Sequence, residues 1–303
     1  MYYIVAIIVA FLMLNLPFVH KSNVSVDPID SLFVAVSGVS VTGLTPVNII
    51  DTYTTFGQVI IMLILNLGGI GVMAIGTMLW VVLGKHIGMR ERQLIMLDNN
   101  KHTMSGTVKL ILDIVRTIII IELVGASLLA FYFYRDNPDI QYAIMQGLFV
   151  SVSATTNGGL DITGQSLIPY ANDYFVQTIV MFLIMLGSIG FPVLIEVKAY
   201  IKNRIPNFRF SLFAKITTVT YFGLFIFGVI IILLFEHNQA FQNMSWHKSL
   251  FYALFQSATT RSSGLQTIDV SGFGEGTNIV MGILMFIGSS PSSVGGGIRT
   301  TTF

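Results

Sequence analysis

Val39-Ser40-Val41-Thr42-Gly43-Leu44 is a run of small and hydroxyl residues ending in Gly-Leu. It returns twice, as Thr155-Thr156-Asn157-Gly158-Gly159-Leu160 and as Thr260-Arg261-Ser262-Ser263-Gly264-Leu265. Each copy follows a short apolar segment that suits a helix, about 29–38, 140–154 and 246–259, and precedes a polar stretch leading into a long apolar span. The closing glycines stand 116 and 105 residues apart. One such match carries little weight, but three in the same slot are internal repetition of the kind found in transporters and channels.

The surrounding chain indicates the solvent. Hydrophobic residues make up 53% of it and charged residues only 10%, with a mean hydropathy of +0.77, whereas a soluble domain carries about 25% charged residues. An integral membrane protein is expected. Six stretches, about 1–19, 55–84, 112–134, 174–197, 213–235 and 277–299, reach the roughly 20 mostly apolar residues that a spanning helix needs. The three short segments before the Gly-Leu loops are too short to cross and fit re-entrant helices. Met1–Phe18 lacks a basic leader and a small-residue cleavage site, so it reads as a first span. The absence of cysteine excludes a disulfide framework and a thiolate metal site.

Lysine and arginine set the orientation. Lys85, Arg90, Arg92, Lys101 and Lys109 follow the second span, and Lys198, Lys202, Arg204, Arg209 and Lys215 follow the fourth; together they are ten of the 16 basic residues. The positive-inside rule places both linkers in the cytoplasm. The opposite face holds Asp27, Asp30, Asp51, Asp136, Asp139, Asp161, Asp173, Glu236, Asp269 and Glu275. An acidic outer vestibule would concentrate cations, although for most of these acids solvation of loops is reason enough.

At membrane depth, irregular backbone survives only inside protein or against a water-filled cavity. A loop of Val, Ser, Thr and Gly leaves its carbonyls free to replace the hydration shell of a monovalent cation. Its glycine permits positive φ and close approach of neighbouring loops. No loop contains a carboxylate, which argues against a divalent-cation site. The plainer alternative is three tight turns capping short helices, and the threefold recurrence favours the pore lining over it.

With the closing run Met285–Phe303, which contains Gly288-Ser289-Ser290-Pro291 and Gly295-Gly296-Gly297, these motifs resemble the Trk/Ktr/HKT superfamily of potassium transporters, nearest the bacterial Ktr pore-forming subunits. The resemblance covers essentially the whole chain. It implies an all-α integral membrane fold of repeated helix–pore helix–filter loop–helix units around a pseudo-fourfold pore. The units here would be residues 1–84, 110–197 and 213–303, with cytoplasmic linkers 85–109 and 198–212. It also implies a filter built from Val39, Ser40, Val41, Thr42 and Gly43, from Thr155, Thr156, Asn157, Gly158 and Gly159, and from Thr260, Arg261, Ser262, Ser263 and Gly264. A glycine rather than serine at position 43 goes with potassium preference in that family. Residues 288–299, including Gly288, Ser289, Ser290, Pro291, Gly295, Gly296, Gly297 and Arg299, would form an intramembrane gate loop. The expected partners are membrane lipid, a second copy of the subunit and a ring of cytosolic nucleotide-binding regulatory subunits, with no nucleic acid. Potassium is the expected transported ion and sodium a second one, with no covalent cofactor, in a bacterial plasma membrane. The family has four repeats, and a fourth filter loop is expected to be absent from this sequence.

A cation at Arg261 would repel potassium unless its head turns from the axis, so a structural role is expected, paired with a carboxylate or with carbonyls behind the filter. Arg299 would pair within the gate loop or mark the cytoplasmic boundary. Glu122 lies in an apolar run, where a carboxylate is a functional candidate by default; Arg116 and Asp113 offer it partners, and an ion pair or a neutral acid buried by packing stands beside a proton relay. A proton- or sodium-coupled carrier using Glu122 and Arg116 is the alternative function, and a non-conducting scaffold is another. Asn66, Gly68, Gly69, Gly71 and Gly76 are expected to give close helix packing. No Gly-Lys-Ser/Thr ending accompanies the late glycines, so a phosphate loop is not indicated. No paired His and Asp accompany the loop serines, so they are not nucleophiles and no enzyme is expected.

Overall fold

The computed structural model describes residues 2–22, 24–71, 74–76, 106–203 and 208–300. Lys85, Arg90, Arg92, Lys101 and Arg204 of the basic linkers lie outside the described residues, as does most of the second half of the expected span 55–84. Every regular element among the described residues is helical; β-structure is limited to one isolated bridge between His20 and Tyr53.

Three helix triplets follow one another. The first is α1 (Tyr2–Leu14), α2 (Pro28–Ser40) and, after the single turn α3 (Ile49–Thr52), α4 (Thr55–Gly69). The second is α5 (Thr107–Asp136), α6 (Ile140–Thr155) and α7 (Tyr174–Ser188), with α8 (Phe191–Asn203) continuing beyond it. The third is α9 (Leu212–Glu236), α10 (Trp246–Thr260) and α11 (Glu275–Phe286). The middle helix of each triplet packs against the helix before it and the one after it. Neighbouring triplets meet where α4 touches α6 and where α7 touches α10.

Side-chain caps start several of these helices. Asp139 Oδ1 accepts from Gln141 N–H at 3.0 Å and opens α6; Thr54 Oγ1 accepts from Gly57 N–H and opens α4; Ser211 Oγ accepts from Ala214 N–H and opens α9. Such caps satisfy orphan N–H groups at about 1 kcal/mol each. Pro28 at the start of α2 lacks the N–H that would be orphaned there anyway. The exteriors of the long helices are apolar, with Phe131, Val219 and Leu234 exposed, as suits a surface solvated by lipid tails.

The repetition extends to side-chain contacts. Ser151 Oγ on α6 donates to the Glu122 carbonyl of α5 at 2.7 Å, and Ser257 Oγ on α10 donates to the Phe225 carbonyl of α9 at 2.7 Å. Three residues further on, Gly125 and Gly228 let these serines approach; an added Cβ at either would collide with the serine hydroxyl. Small residues at a helix crossing are the usual means of close packing in a membrane.

Among the described residues two helices, Val108–Asp136 and Leu212–Glu236, are long and apolar enough to cross a membrane unbroken, close to the expected spans 112–134 and 213–235. The expected span 174–197 is interrupted: α7 and α8 are apolar enough together but meet at a 106° bend. Gly190 takes φ +101° at the break, and Pro192 follows, which cannot supply a helix N–H. The expected first span is helical only to Leu14, and the sixth only to Phe286, where the Gly/Ser/Pro run begins. The small-residue expectation holds for part of its list. Gly68 faces the carbonyls of Gly38 and Val39, and Gly69 faces Thr156 and Val294, whereas Gly71 and Gly76 have nothing within 4 Å of an added Cβ among the described residues.

The carboxylates expected on the outer face divide by role. Glu236 is fully buried rather than lining a wet vestibule. It accepts from Gly274 N–H at 2.9 Å, from Ala240 N–H at 3.3 Å and from the Thr277 hydroxyl, tying the end of α9 to the start of α11. Asp269 is exposed, and the backbone N–H of Ser271 holds its carboxyl below the usual carboxylate range.

Two glycines of α9 give opposite expectations. Gly228→Val should lower stability by about 1–3 kcal/mol through overpacking against Ser257 and Leu284. Gly223→Ala, which meets nothing within 4 Å, should raise it by roughly 0.5–1 kcal/mol. Thermal unfolding of the purified protein in detergent checks both.

Candidate ion filter and crossing loop

The three Gly-Leu loops begin where α2, α6 and α10 end, and they share one backbone pattern. Gly43, Gly159 and Gly264 have φ of +77°, +66° and +75°. Two residues earlier Val41, Asn157 and Ser262 also have positive φ, at +55°, +51° and +155°. Asn tolerates the left-handed region, but a β-branched valine there is strained by about 1–3 kcal/mol, so the surroundings must hold Val41 in place. Among the described residues no hydrogen bond is made to the carbonyls of Val41, Thr42, Gly43, Asn157, Gly158, Gly159, Ser262, Ser263 or Gly264, whereas the Arg261 carbonyl accepts from Ser289 Oγ. Each middle helix also directs the negative end of its dipole at its loop, which favours a cation there.

A hydroxyl near the end of each middle helix clamps the leucine after the glycine. Leu44 N–H donates to Ser37 Oγ at 2.9 Å, Ser153 Oγ donates to the Leu160 carbonyl at 2.6 Å, and Thr259 Oγ1 donates to the Leu265 carbonyl at 2.6 Å. Two of the loops close alike, with Thr42 N–H on the Ser37 carbonyl and Gly158 N–H on the Ser153 carbonyl. The third closes one residue tighter, with Ser263 N–H on the Thr259 carbonyl at 2.9 Å.

The loops also touch one another. A Cβ added to Gly43 would sit 2.7 Å from the Gly158 oxygen and 3.1 Å from Gly159 Cα. One added to Gly159 would sit 2.6 Å from the Ser263 oxygen, 3.3 Å from Gly43 Cα and 3.5 Å from Gly264 Cα. The glycines therefore stand side by side in an arc, in the order 43, 159, 264. Ser40 and Thr42 are exposed, while Thr155, Thr156, Asn157 and Thr260 are buried. Leu160 and Leu265 are buried, but Leu44 is 59% exposed, so the arc has an uncovered edge at the first loop.

Gly288, Ser289, Ser290 and Pro291 leave α11 as one limb of a loop that returns through Gly295, Gly296 and Gly297. The limbs are joined where Ser289 N–H donates to the Gly296 carbonyl at 3.0 Å and Ile298 N–H to Phe286 at 3.1 Å. Arg299 Nη1 donates to the carbonyls of Ser290 and Gly295, which places it within the loop. The loop crosses all three units. Val294 Cγ1 lies 2.9 Å from a Cβ added to Gly69, a position that also faces Thr156. Ser290 and Val294 N–H donate to the Ser188 and Gly187 carbonyls freed by the break after α7, and Gly296 N–H donates to Ser262 Oγ.

Arg261 turns away from the arc. Its Nη1 donates to the Tyr221 carbonyl at 2.9 Å, its Nη2 to the Gly288 carbonyl at 3.0 Å, and its guanidinium lies 4.1 Å from the Tyr221 ring centroid. The partners are carbonyls and a ring face, not a carboxylate. Glu122 is buried, its Oε1 has no hydrogen-bond partner, and Asn66 is the side chain that approaches it. Arg116 is exposed and Glu122 buried, so of the readings for this acid the ion pair with Arg116 is not the one formed and burial by packing is. Ser188 and Tyr221, both part of the setting of Arg261, carry no motif and were not singled out from the sequence. Among the described residues no group of three His, Cys, Asp or Glu could hold a metal ion.

The sequence profile of the TrkH family, described as a cation transport protein, matches residues 4–303. The Ktr system potassium uptake protein D of Bacillus subtilis (strain 168) is 51% identical over 303 residues, covering 100% of this chain and 68% of that one. The Ktr system potassium uptake protein B of the same organism is 33% identical, covering 99% of this chain and 66% of its own length. The chain thus spans about two thirds of the length of these relatives. Among solved structures, the potassium transporter TrkH from Vibrio parahaemolyticus superposes with a TM-score of 0.69 at 17% identity, over 99% of this chain and 57% of that one, and so shares its fold.

Gly159 is the residue of the arc hemmed in on both sides. Gly159→Ala should cost about 2–3 kcal/mol, from a left-handed alanine and the collision with the Ser263 carbonyl. Gly272→Ala, with nothing within 4 Å, should leave the melting temperature unchanged. Thermal unfolding of the two variants side by side checks the contrast.

Proposed function

This chain belongs to the TrkH cation-transport family, and from that premise we propose that it takes up potassium across the membrane through the arc of Gly-Leu loops. It is a transporter and not an enzyme. The observation that supports this site is the contact of Gly159 with both Gly43 and Gly264, all three at positive φ, because it brings three loops together at the ends of three helix dipoles. Rings of carbonyls of this kind substitute for the hydration shell of a monovalent cation. The exposed hydroxyls of Ser40 and Thr42 and the backbone of Gly43, Gly159, Ser262 and Gly264 are the groups that would meet the ion.

The arc covers part of a ring, and closure falls to a further unit seated at the edge between Gly264 and Gly43, beside the exposed Leu44. Flow would be downhill, driven by the membrane potential, with the acidic outer loops raising the local cation concentration. Residues 288–299 would act as the gate, since they pass across all three units on short Gly/Ser limbs joined by a few hydrogen bonds. Lys109, Lys198, Lys202, Arg209 and Lys215 would mark the cytoplasmic face. That face is where anionic lipid, a second copy of the chain and a nucleotide-binding regulatory ring would dock. The relatives' designation as components of a Ktr system agrees with such an assembly.

A serine at position 43 tests the reading. Its Cβ would press on the Gly158 oxygen and Gly159 Cα, tilting two neighbouring carbonyl rows at once. Gly43→Ser should lower the potassium-to-sodium flux ratio of reconstituted vesicles about tenfold, equivalent to ~1.4 kcal/mol of lost discrimination. An unchanged ratio with intact flux would place the filter elsewhere.

A further inference from the structure

A buried guanidinium without a carboxylate partner is costly in a low-dielectric interior, and Arg261 is such a group, with 1% of its surface exposed. It sits in the third candidate filter loop, where its positive charge opposes cation entry. Tyr221 supplies a ring face and a carbonyl, and Gly288 supplies the other carbonyl. The bond to Gly288 is the informative one, because Gly288 is the first residue of the crossing loop. The tie is reciprocal: Ser289 Oγ donates to the Arg261 carbonyl at 3.3 Å, so the same two stretches are joined through side chain and backbone in both directions. One residue further, Ser262 Oγ accepts from Gly296 N–H on the returning limb.

The second loop is joined to the crossing loop as well, through the break after α7. Asn157 Nδ2 donates to Ser188 Oγ at 2.8 Å, and the Ser188 carbonyl accepts from Ser290 N–H at 3.1 Å. Tyr221 seats the arginine, its carbonyl accepting from Arg261 Nη1 and its ring lying 4.1 Å from the guanidinium. Asn157, Ser188, Tyr221, Arg261, Ser289 and Ser290 are all buried. Among the described residues Arg261 Nε, Asn157 Oδ1, Tyr221 Oη and Ser290 Oγ already stand without partners in this interior, so each tie that breaks adds a further unsatisfied polar group and the ties resist separate loss.

We propose that Arg261 is a positioning residue that locks the third filter loop to the crossing loop, so that displacement of the crossing loop and deformation of the filter are one coupled transition. This rests on the reading of the arc as a potassium filter. When the limb at Gly288 moves, Arg261 loses its second carbonyl and the tie at its own backbone oxygen, and the Ser262 and Ser263 carbonyls shift with it. A structure in which the two were independent would not route the only charge of the third filter loop into the crossing loop.

The test uses Arg261→Lys, Ser289→Ala and Gly43→Ser in vesicles, with resting potassium leak and the potassium-to-sodium ratio measured on each. Lysine keeps charge and length but cannot bridge carbonyls on two elements with a planar fork. Arg261→Lys should raise the leak and lower the ratio together, each about tenfold, the shift expected for one lost charge-assisted hydrogen bond. Ser289→Ala should move both in the same direction by less, and the double variant should fall short of the product of the single effects. A change in leak alone, a change in ratio alone, or multiplicative effects would overturn the coupling. If Arg261→Lys does not fold, Ser289→Ala decides by the same criterion. If Gly43→Ser leaves the ratio unchanged, the filter reading itself fails; if Gly43→Ser lowers it while the other two variants behave as wild type, only the lock is refuted.

Discussion

Backbone carbonyls without intrachain partners are the constraint on which this molecule depends. In an apolar surround each free carbonyl costs several kcal/mol unless something satisfies it. Three loops of this kind are tolerable together because they meet at Gly43, Gly159 and Gly264, where the absence of Cβ allows neighbouring backbones to approach within van der Waals contact. The surrounding helices serve this meeting. Each triplet presents one short helix end to the arc, and hydroxyls at Ser37, Ser153 and Thr259 hold the leucines that follow the glycines. Gly125 and Gly228 let the outer helices close behind.

The same constraint explains the crossing loop. A Gly/Ser run after α11 could not lie against lipid, and it finds its partners in carbonyls exposed by a second irregularity, the break between α7 and α8. Each irregular segment supplies what the other lacks: Ser188 and Gly187 offer carbonyls, and Ser290 and Val294 offer N–H groups. Arg261 belongs to this exchange, satisfying two carbonyls with one cation. Two segments more than 100 residues apart thus become a single structural unit in the middle of the molecule.

Much of the architecture was legible in the chain. Short helices before the Gly-Leu loops could be read from apolar runs too brief to cross a membrane, and they appear as Pro28–Ser40, Ile140–Thr155 and Trp246–Thr260. The two clean spans appear as Thr107–Asp136 and Leu212–Glu236 because nothing in their sequence interrupts the hydrogen-bond ladder. The bend in 174–197 was missed because hydropathy averages over Ser188-Ile189-Gly190-Phe191-Pro192 without registering that a Gly at positive φ followed by Pro turns the chain. Arg116 is near enough to Glu122 along the helix to pair with it, yet the two occupy different faces, one exposed and one buried. A carboxylate in an apolar run shows that something must be satisfied, not which neighbour satisfies it.

By itself the sequence determined that this is a helical membrane chain of three similar units and which residues carry its irregular backbone, since composition, span length and glycine placement follow from local chemistry. Only the tertiary structure decided the order of the arc, the uncovered edge at Leu44, the seating of the crossing loop across all three units and the partners of Arg261. Those depend on contacts between segments remote in sequence. A carbonyl acceptor, unlike a charged side chain, is present at every residue and leaves no mark in the sequence to show which one is used.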